Sequence, residues 1–576
     1  MAAPLSGIEI RGDRLKDEDE GTALESAGRR DGRGRGFFAT RDFAPGAVVA
    51  EFSEPLVVVP FGVAAAQTCN HCLDPRRPAK ACTGCRAVAY CGSRCQRAHW
   101  TAVHKLECRV LKKALEMSRE AEEEKEKEEQ KKGDESDSTA LTRTTPSTLR
   151  IVPAPVRALL QILLQWPAVK DTVAGLEGNV AGFRARPDLW KDFEVQASAA
   201  CALAGWPATD ASLAIAVEAM CKIHTNSFDR SDVDVAYTGT FLDAHLAMAN
   251  HSCVPNAVVS FAGRKAFLRA EQAIRAGDEV TISYIDYTKP KSVRQRGLDL
   301  YHFTCDCARC ADDLDVYQVC RASPLVALNA FSFVPNVAVL RNPPLDRKGL
   351  PVTSAQIDQI YDDCRPEQPV PPSGRLASLR RAWALCRPLV RARRWAVEPL
   401  AHVFQQAIVY YSEQHNFAHA LAVECFVALR SDPYKYVAPF AQWRLKGLLL
   451  IAKTITNTAI DPTPSSSPSA LQAALAPLAD GALYEAILLM VLRYGPMGHS
   501  DEWELLDTAR EMLQDVRSVP DRDLISAALH HWIQDPTEPA AARFFRDNIL
   551  PPVERLADLA VDILKADLEP QSIEAA

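Results

Sequence analysis

Four closely spaced pairs of metal-binding side chains, all between residues 69 and 108, constrain the fold of this chain more than any other feature. The pairs are Cys69 with Cys72, Cys82 with Cys85, Cys91 with Cys95, and His104 with Cys108. Thiolates and imidazoles are ligands that tetrahedral Zn²⁺ prefers, and a two-residue gap lets both thiolates of a pair reach one ion. Because eight ligands complete two tetrahedral sites, the segment is expected to fold around two zinc ions.

The composition indicates a chain from a reducing compartment without a nucleic-acid partner. Eleven of the 17 cysteines fall into close clusters, which favours metal binding over disulfides. The net charge of -7 comes from 66 basic and 73 acidic residues, so no overall basic field attracts a nucleic acid. No apolar run reaches the roughly 18 residues that span a bilayer, and the first residues lack a signal-peptide core. We therefore expect a soluble protein of the cytoplasm, the nucleus or both, with no membrane partner.

The periodicity of apolar residues predicts alternating strand-rich and helical regions. Residues 29–60 and 257–284 alternate apolar segments with turn signals, which is typical of strands. Residues 149–225 have helical spacing, and Val156, Leu159, Leu160, Leu163 and Leu164 are predicted to share one helix face. The sequence thus predicts an α+β protein with a length sufficient for several domains.

Two further segments differ from these regions in composition. The run from Glu116 to Asp137 is highly charged and has no apolar face, which predicts a solvated helix or a disordered insert. From about residue 376 onward, apolar residues repeat at three-to-four spacing, which predicts an all-helical, repeat-like array without a clean 34-residue consensus. Residues 461–469 are predicted to form a loop within that array.

A second set of motifs lies at residues 250–310. The segment NHSCVPN at 250–256 is followed by GDEVTISYIDY at 277–287 and YHFTCDCARC at 301–310. Together with GRGRGFFATRDFAPG at 32–46, these segments resemble the SET domain of the SET-MYND family of protein lysine methyltransferases. The segment AYCGSRCQRAHWTAVHKLEC at 89–108 resembles the MYND finger of the same family. The resemblance covers residues 29–112 and about 150–312. The tail resembles the corresponding part of the family only in its helical character.

The resemblance implies a β-rich SET fold that is split by the zinc finger and followed by a post-SET zinc site. It also implies an all-helical, TPR-like C-terminal domain. This domain is expected to pack back on the SET fold and to form one wall of the substrate cleft. The implied segments are residues 29–68 for the first part of the SET fold, 69–108 for the MYND finger, 116–148 for the charged insert, 149–225 for the helical SET insert, 226–300 for the SET core, 301–330 for the post-SET zinc segment and 376–565 for the C-terminal domain.

The resemblance also implies how the metal ligands are shared. In the finger, the first and third pairs hold one zinc ion and the second and fourth pairs hold the other. Cys253 joins Cys305, Cys307 and Cys310 around a third zinc ion, so that all three sites are closed by four protein ligands. His99 is expected at the surface of the finger rather than as a ninth ligand.

The cofactor and substrate residues are likewise implied by the resemblance. Arg33, Gly34 and Arg35 would hold the methionine end of S-adenosylmethionine, Asn250 and His251 its adenosine end, and Phe303 would stack on adenine. Asn179 would also contact the cofactor, and Asn226 would belong to the substrate-lysine pocket. Tyr284 is the predicted catalytic tyrosine and also borders the cofactor, and Tyr301 is predicted as a second tyrosine of the lysine channel.

The function that follows is an S-adenosylmethionine-dependent protein-lysine N-methyltransferase, expected as a monomer, that acts on histone or non-histone lysines. The MYND finger is expected to bind proline-rich peptides. The alternative is a zinc-dependent interaction scaffold or transcriptional co-regulator with an inactive SET fold, but such a chain is free to lose Asn250, His251 or Tyr284, and all three are present. A zinc-dependent hydrolase is disfavoured because closed tetrahedra leave no position for water.

Overall fold

The computed structural model of the chain describes residues 7–11, 35–61, 68–74, 76–132, 152–232, 236–345, 352–366, 370–460, 469–501 and 503–569. Within these ranges the strands all lie before residue 283, and the chain that follows is helical. This arrangement confirms the predicted α+β class. We call residues 35–61 and 152–312 the SET region, residues 69–108 the finger and residues 316–569 the tail.

The sheet that positions the candidate site joins segments far apart in the sequence. The strand Glu279–Ile282 pairs antiparallel with Gly36–Ala39 and parallel with Asn250–His251. Ile8–Arg11 adds a fourth strand at the other edge of Gly36–Ala39. Because His251 lies opposite Ile282, the parallel pairing brings the NHSCVPN segment next to the chain that leads into Tyr284.

Two three-stranded sheets complete the SET region, and a short hairpin lies in the finger. Apolar side chains of the four-stranded sheet and of these two sheets share one core, in which Phe37, Phe241 and Val280 are fully buried. The remaining strands are Val48–Phe52, Ala257–Ala262 and Lys265–Ala270 in one sheet, Val57–Pro60, Phe228–Asp232 and Ala236–Leu242 in the next, and Lys80–Ala81 with Ala89–Tyr90 in the finger.

Helices cover one side of the SET region and continue out of the finger. On the helix Ala154–Leu164, the predicted apolar face is buried except for the partly exposed Leu164, and it packs against the strand Val57–Pro60. The charged run falls on a 28-residue helix for its first part, and residues 133–150 lie outside the described residues. The helices are Ser93–His99, Lys105–Lys132, Ala154–Leu164, Trp166–Ala174, Val180–Arg184, Pro187–Ala204, Asp210–Asn226, Lys291–Leu298 and Ala308–Ala311.

The tail is a stack of antiparallel helices around its own core. That core includes residues from Val316 onward, ahead of the predicted start at residue 376. The first of its helices, Val316–Ala322, begins at a reciprocal capping box between Asp315 and Gln318. The loop predicted at 461–469 lies, except for Ser469, outside the described residues. The tail helices are Val316–Ala322, Val337–Arg341, Ser354–Cys364, Arg375–Leu385, Arg387–Arg391, Leu400–Glu413, Phe417–Arg430, Asp432–Lys435, Gln442–Ile460, Ser469–Leu475, Ala482–Gly498, Glu504–Arg517, Asp523–Gln534, Pro539–Phe544 and Leu550–Leu568.

The described helices include apolar ones, such as Ala154–Leu164. No single helix among them has the length and apolar composition of a membrane span. The bent pair Ala470–Asp480 and Ala482–Gly498 meets both criteria only when its two helices are taken together, with a bend of 65° between them.

The tail contacts the SET region and the finger at separate points. The Ser260 hydroxyl donates to the His499 carbonyl at 3.4 Å, and Lys289 Nζ lies 3.7 Å from Glu398 Oε1. In the finger, Arg76 Nε lies 2.7 Å from Glu504 Oε1. These contacts hold the tail against the SET region, as the resemblance predicts, and leave a large cavity between the two.

Candidate functional site

The finger brings its eight predicted ligands together in two groups. Cys69, Cys72, Cys91 and Cys95 form one group, and Cys82, Cys85, His104 and Cys108 form the other, with the ligand atoms of each group within 4.8 Å of one another. The sulfur atoms of Cys72 and Cys91 are 3.7 Å apart. A tetrahedral zinc site with Zn–S bonds of about 2.3 Å requires S···S separations of about 3.8 Å. The donors and their spacing therefore fit zinc in both groups.

The second group is supported by a buried polar network that spacing alone did not predict. Glu107 Oε1 lies 3.2 Å from His104 Nδ1, which leaves Nε2 facing Cys85 Sγ at 3.7 Å. Arg157 Nη2 donates to Glu107 Oε1 at 2.7 Å, and Gln161 donates to Oε2 at 3.1 Å. Although burial opposes ionisation, Arg157 and the His104 hydrogen bond lower the pKa of Glu107. A carboxylate that orients a histidine ligand in this way is common at zinc sites.

The prediction that His99 lies at the finger surface is wrong. Its side chain is fully buried, and the Tyr90 hydroxyl lies 2.9 Å from His99 Nδ1. The helix Ser93–His99 continues directly into the π-helical turn Trp100–His104, so the rings of His99 and His104 stack with centroids 5.5 Å apart. Burial lowers the pKa of His99 to about 3, so it packs as a neutral ring.

The post-SET segment completes a third group of four thiols. Cys253, Cys305, Cys307 and Cys310 are all buried, with their sulfur atoms within 4.8 Å of one another. Arg294 Nη2 points at Cys310 Sγ from 3.4 Å. Four thiols and a neighbouring guanidinium, which favours thiolate, suit a structural zinc ion. This group joins the end of the strand Asn250–His251 to the segment that contains Tyr301 and Phe303.

The predicted adenosine-end residues lie on the parallel strand pair. Asn250 Nδ2 donates to the Arg35 carbonyl at 3.1 Å and to Glu279 Oε1 at 2.8 Å. A Cβ atom on Gly36 would come within 2.6 Å of Asn250 Nδ2, so this close approach requires glycine. His251 Nδ1 accepts from the Tyr284 backbone N–H at 3.1 Å, while its Nε2 lies 3.3 Å from Cys253 Sγ.

The predicted methionine-end residues are only partly described. Arg33 and Gly34 lie outside the described residues. The Arg35 side chain is exposed and donates to the Gly175 carbonyl.

The two asparagines of the helical insert lie at the border of the cavity. Asn179 adopts a left-handed backbone conformation, with φ of 46°, and its Nδ2 donates to the Tyr301 carbonyl at 3.4 Å. Asn226 is buried at the end of its helix, and its Nδ2 donates to the carbonyls of Glu177 and Lys222, both at 2.7 Å. In this arrangement Asn226 fixes the loop that precedes Asn179.

The two predicted channel tyrosines lie side by side. The ring centroids of Tyr284 and Tyr301 are 4.8 Å apart, and the Tyr284 hydroxyl donates to the Ala249 carbonyl at 2.7 Å. Burial raises the pKa of both tyrosines, so their hydroxyls remain protonated donors near neutral pH. Phe303 is 39 % exposed and its ring centroid lies 5.9 Å from that of His251, which leaves a face free for stacking.

One cavity of about 1910 Å³ contains this arrangement. It is bounded by the SET region on one side and by tail helices on the other, including Leu400–Glu413, Phe417–Arg430 and Gln442–Ile460. All the described cofactor and substrate residues predicted from the sequence line it, namely Arg35, Asn179, Asn226, Asn250, His251, Tyr284, Tyr301 and Phe303.

Comparison with known proteins agrees with the geometry. Residues 34–285 match the SET domain family. SET domain and MYND-type zinc finger protein 6 of Schizosaccharomyces pombe is 28% identical over 48% of this chain and 50% of the relative. Histone-lysine N-methyltransferase ASHR1 of Arabidopsis thaliana is 29% identical over 49% of this chain and 53% of the relative. N-lysine methyltransferase SMYD2 of Homo sapiens is 28% identical over 48% of this chain and 58% of the relative.

The chain spans about half the length of the curated relatives that it matches. The SET match contains both ligand groups of the finger and Cys253, and the three post-SET cysteines follow directly after it. These features occur together in the order that the sequence predicts, so residues 34–285 form a SET domain, and over about half of its length the chain is similar to proteins that combine a SET domain with a MYND-type zinc finger.

Proposed function

We propose that this protein transfers a methyl group from S-adenosylmethionine to a lysine side chain of a histone or another protein. The observation that carries this proposal is the parallel pairing of Asn250–His251 with Glu279–Ile282, which places Tyr284 beside Tyr301 and His251 in one cavity. The relatives named as lysine methyltransferases support the same reaction class.

The cofactor pocket lies between the glycine-rich segment, the NHSCVPN segment and the post-SET segment. Arg33, Gly34 and Arg35 hold the methionine end, Asn250 and His251 the adenosine end, and Phe303 stacks on adenine. Asn179 approaches the cofactor from the helical insert. When bound, S-adenosylmethionine supplies an electrophilic methyl group on a sulfonium.

The tyrosines prepare the amine that accepts the methyl group. A lysine amine has a pKa of about 10.4, so at pH 7 about 4.6 kcal/mol separates the ammonium form from the neutral nucleophile. A narrow channel walled by Tyr284, Tyr301 and Asn226 excludes water and disfavours the charged form. The Tyr284 hydroxyl orients the ε-nitrogen in line with the methyl group, and its dipole complements the charge that moves during transfer.

Zinc has a structural role in this proposal. Two ions fold the finger, and a third, held by Cys253 and the three post-SET thiols, pins Tyr301 and Phe303 over the site. Each site has four protein ligands, so none takes part in the chemistry.

The proposal also covers the binding partners and the cellular location of the protein. The substrate is a polypeptide that enters the cavity between the SET region and the tail, and the finger offers a second surface for proline-rich peptides. We propose that the protein acts as a monomer in the cytoplasm, the nucleus or both. The scaffold alternative would retain the peptide contacts and lack methyl transfer.

Incubation of the purified chain with radiolabelled S-adenosylmethionine and a cell extract tests the proposal directly. Label should appear on lysine residues of specific proteins, and an Asn250→Ala variant treated in the same way serves as the control. Lack of lysine labelling by the parent chain, with zinc bound and the fold intact, would favour the scaffold.

A further inference from the structure

The cavity contains a carboxylate that the methyl-transfer site does not use. Glu271 follows the strand Lys265–Ala270 and lines the cavity, and its backbone N–H donates to the Asn256 carbonyl at 2.8 Å. Among the described residues, no hydrogen bond or salt bridge engages its side chain. Burial raises the pKa of Glu271 to about 7, which reflects the absence of a compensating cation.

The basic side chains in the same cavity have other partners. Lys289 and Lys435 both pair with Glu398, with N···O distances of 3.7 and 2.8 Å. Arg444 donates to the side chain of Asn329 and to the carbonyl of Val437. Among the described residues, no salt bridge joins a cation to Glu271, so this carboxylate is open to a cation that enters with a ligand.

The ring of Tyr287 lies near this carboxylate and meets a second tyrosine from the opposite wall. Burial and then the nearby Glu271 carboxylate raise the pKa of Tyr287. The Tyr287 ring, from the SET region, meets the Tyr436 ring, from the tail, edge to face at 6.4 Å between centroids. Aromatic faces attract organic cations, and they also pack against the apolar stem of a lysine or arginine side chain.

We propose that Glu271, Tyr287 and Tyr436 form a second pocket, which binds a lysine or arginine side chain of the substrate polypeptide at a distance from the target lysine. The pocket rests on the proposed methyltransferase function, because it opens into the same cavity as Tyr284 and Tyr301. One extended polypeptide thus fills the lysine channel and places a basic residue against Glu271. The enzyme then selects lysines that have a basic residue elsewhere in the same segment.

A peptide series with one fixed acceptor lysine tests the pocket. Each peptide has an arginine at a different position, and its matched peptide has citrulline there, which has the same shape without the charge. Binding to the full chain is measured by fluorescence anisotropy in the presence of S-adenosylhomocysteine, and methylation is measured separately. The parent should bind one arginine peptide about tenfold more tightly than its citrulline partner, as expected for a charge-assisted hydrogen bond.

Two pocket variants and one control identify the origin of that preference. Glu271→Gln should reduce the arginine-to-citrulline ratio to near one, and Tyr287→Leu should reduce it several-fold. Glu554→Gln removes the same charge from the exposed outer face of the tail and should leave the ratio unchanged. The ratio within each variant is independent of how much folded protein is present.

The outcomes separate the pocket from the proposed reaction. A parent that binds arginine and citrulline peptides equally at every position, or a Glu271→Gln variant that keeps the preference, overturns the pocket. If the chain methylates lysine but shows no arginine preference, the proposed reaction is supported and the proposed pocket is overturned. A preference that depends on Glu271, in a chain that methylates none of the peptides or extract proteins, keeps the pocket and contradicts the proposed reaction.

Discussion

His251 contacts both the candidate catalytic tyrosine and the post-SET thiols. Its Nδ1 accepts from the Tyr284 backbone and its Nε2 faces Cys253, so a single ring couples the cofactor strand to the third thiol group. The side-chain amide of Asn250, one residue earlier, donates to the Arg35 carbonyl and to Glu279. Asn250 is therefore the better residue for a test of cofactor binding, because changing it leaves the thiols untouched.

Replacing Asn250 with alanine should weaken binding of S-adenosylhomocysteine by tenfold or more, since two hydrogen bonds of the cofactor strand are lost with the amide. Isothermal titration calorimetry gives the affinity, and thermal unfolding should show a largely unchanged fold. Asn548→Ala, on the tail, is the matched control. If the Asn250 variant binds the cofactor as the parent does, the pocket has been assigned to the wrong residues.

Individual residues differ in how far sequence alone could predict them. Cys253 and Tyr284 could be assigned roles because their segments resemble motifs of the SET-MYND family. The burial of His99 was not predictable, because it depends on a helix that continues into a π-helical turn. Glu271 has no motif at all, and only its position in the cavity distinguishes it from an ordinary surface glutamate.

At the scale of elements, each group of predicted zinc ligands joins short segments that bury few apolar side chains of their own. The finger contains one two-stranded hairpin and its small core is largely cysteine. Twelve ligands predict about three zinc ions for each purified chain. Elemental analysis by mass spectrometry measures this ratio, and a value below two would contradict the assignment.

The network behind His104 gives a second prediction at this scale. Arg157→Leu removes the cation that compensates the buried Glu107 and should destabilise the region by roughly 3 to 5 kcal/mol. The variant should also lose finger zinc to a chelator sooner than the parent does, as followed with a chromophoric zinc indicator. Arg546→Leu, at an exposed position, should change the stability by less than about 0.5 kcal/mol. Equal zinc loss from the Arg157 variant and the parent would show that the network does not support the site.

A helical region and its buried face were predictable where apolar periodicity was strong, as within residues 149–225, but the ends of the helix Ala154–Leu164 were not. The link between that helix and the finger was not predictable either, because Arg157 and Glu107 are 50 residues apart and neither carries a metal-ligand pattern. The start of the tail core at Val316 was also missed, since its first helices are short and interrupted.

At the scale of the whole molecule, the tail is the part of the cavity wall about which sequence motifs say least. Tail residues form one wall of the cavity, and they include Glu398, Lys435 and Tyr436, none of which belongs to a sequence motif. Sequence periodicity predicted helices there, but only the packed structure shows which residues face Tyr284 and Glu271.

Because the tail contacts both the SET region and the finger, the chain should remain compact in solution. A compact chain of this length has a radius of gyration of roughly 25 Å, with some increase from the charged insert. Small-angle X-ray scattering measures this value. A markedly larger radius, with the profile of domains on a flexible linker, would contradict the shared cavity.

The central claim, that the Tyr284 hydroxyl serves methyl transfer in this cavity, is tested most directly by the single-turnover rate of Tyr284→Phe. The change removes one hydroxyl and keeps the ring, so the packing and the zinc content should remain close to those of the parent. Loss of a preorganised hydroxyl dipole should slow methyl transfer about 100-fold or more, with cofactor affinity changed much less. Tyr410→Phe on the tail, the matched control, should react at the parental rate. A Tyr284→Phe enzyme that also methylates lysine at the parental rate would contradict the account.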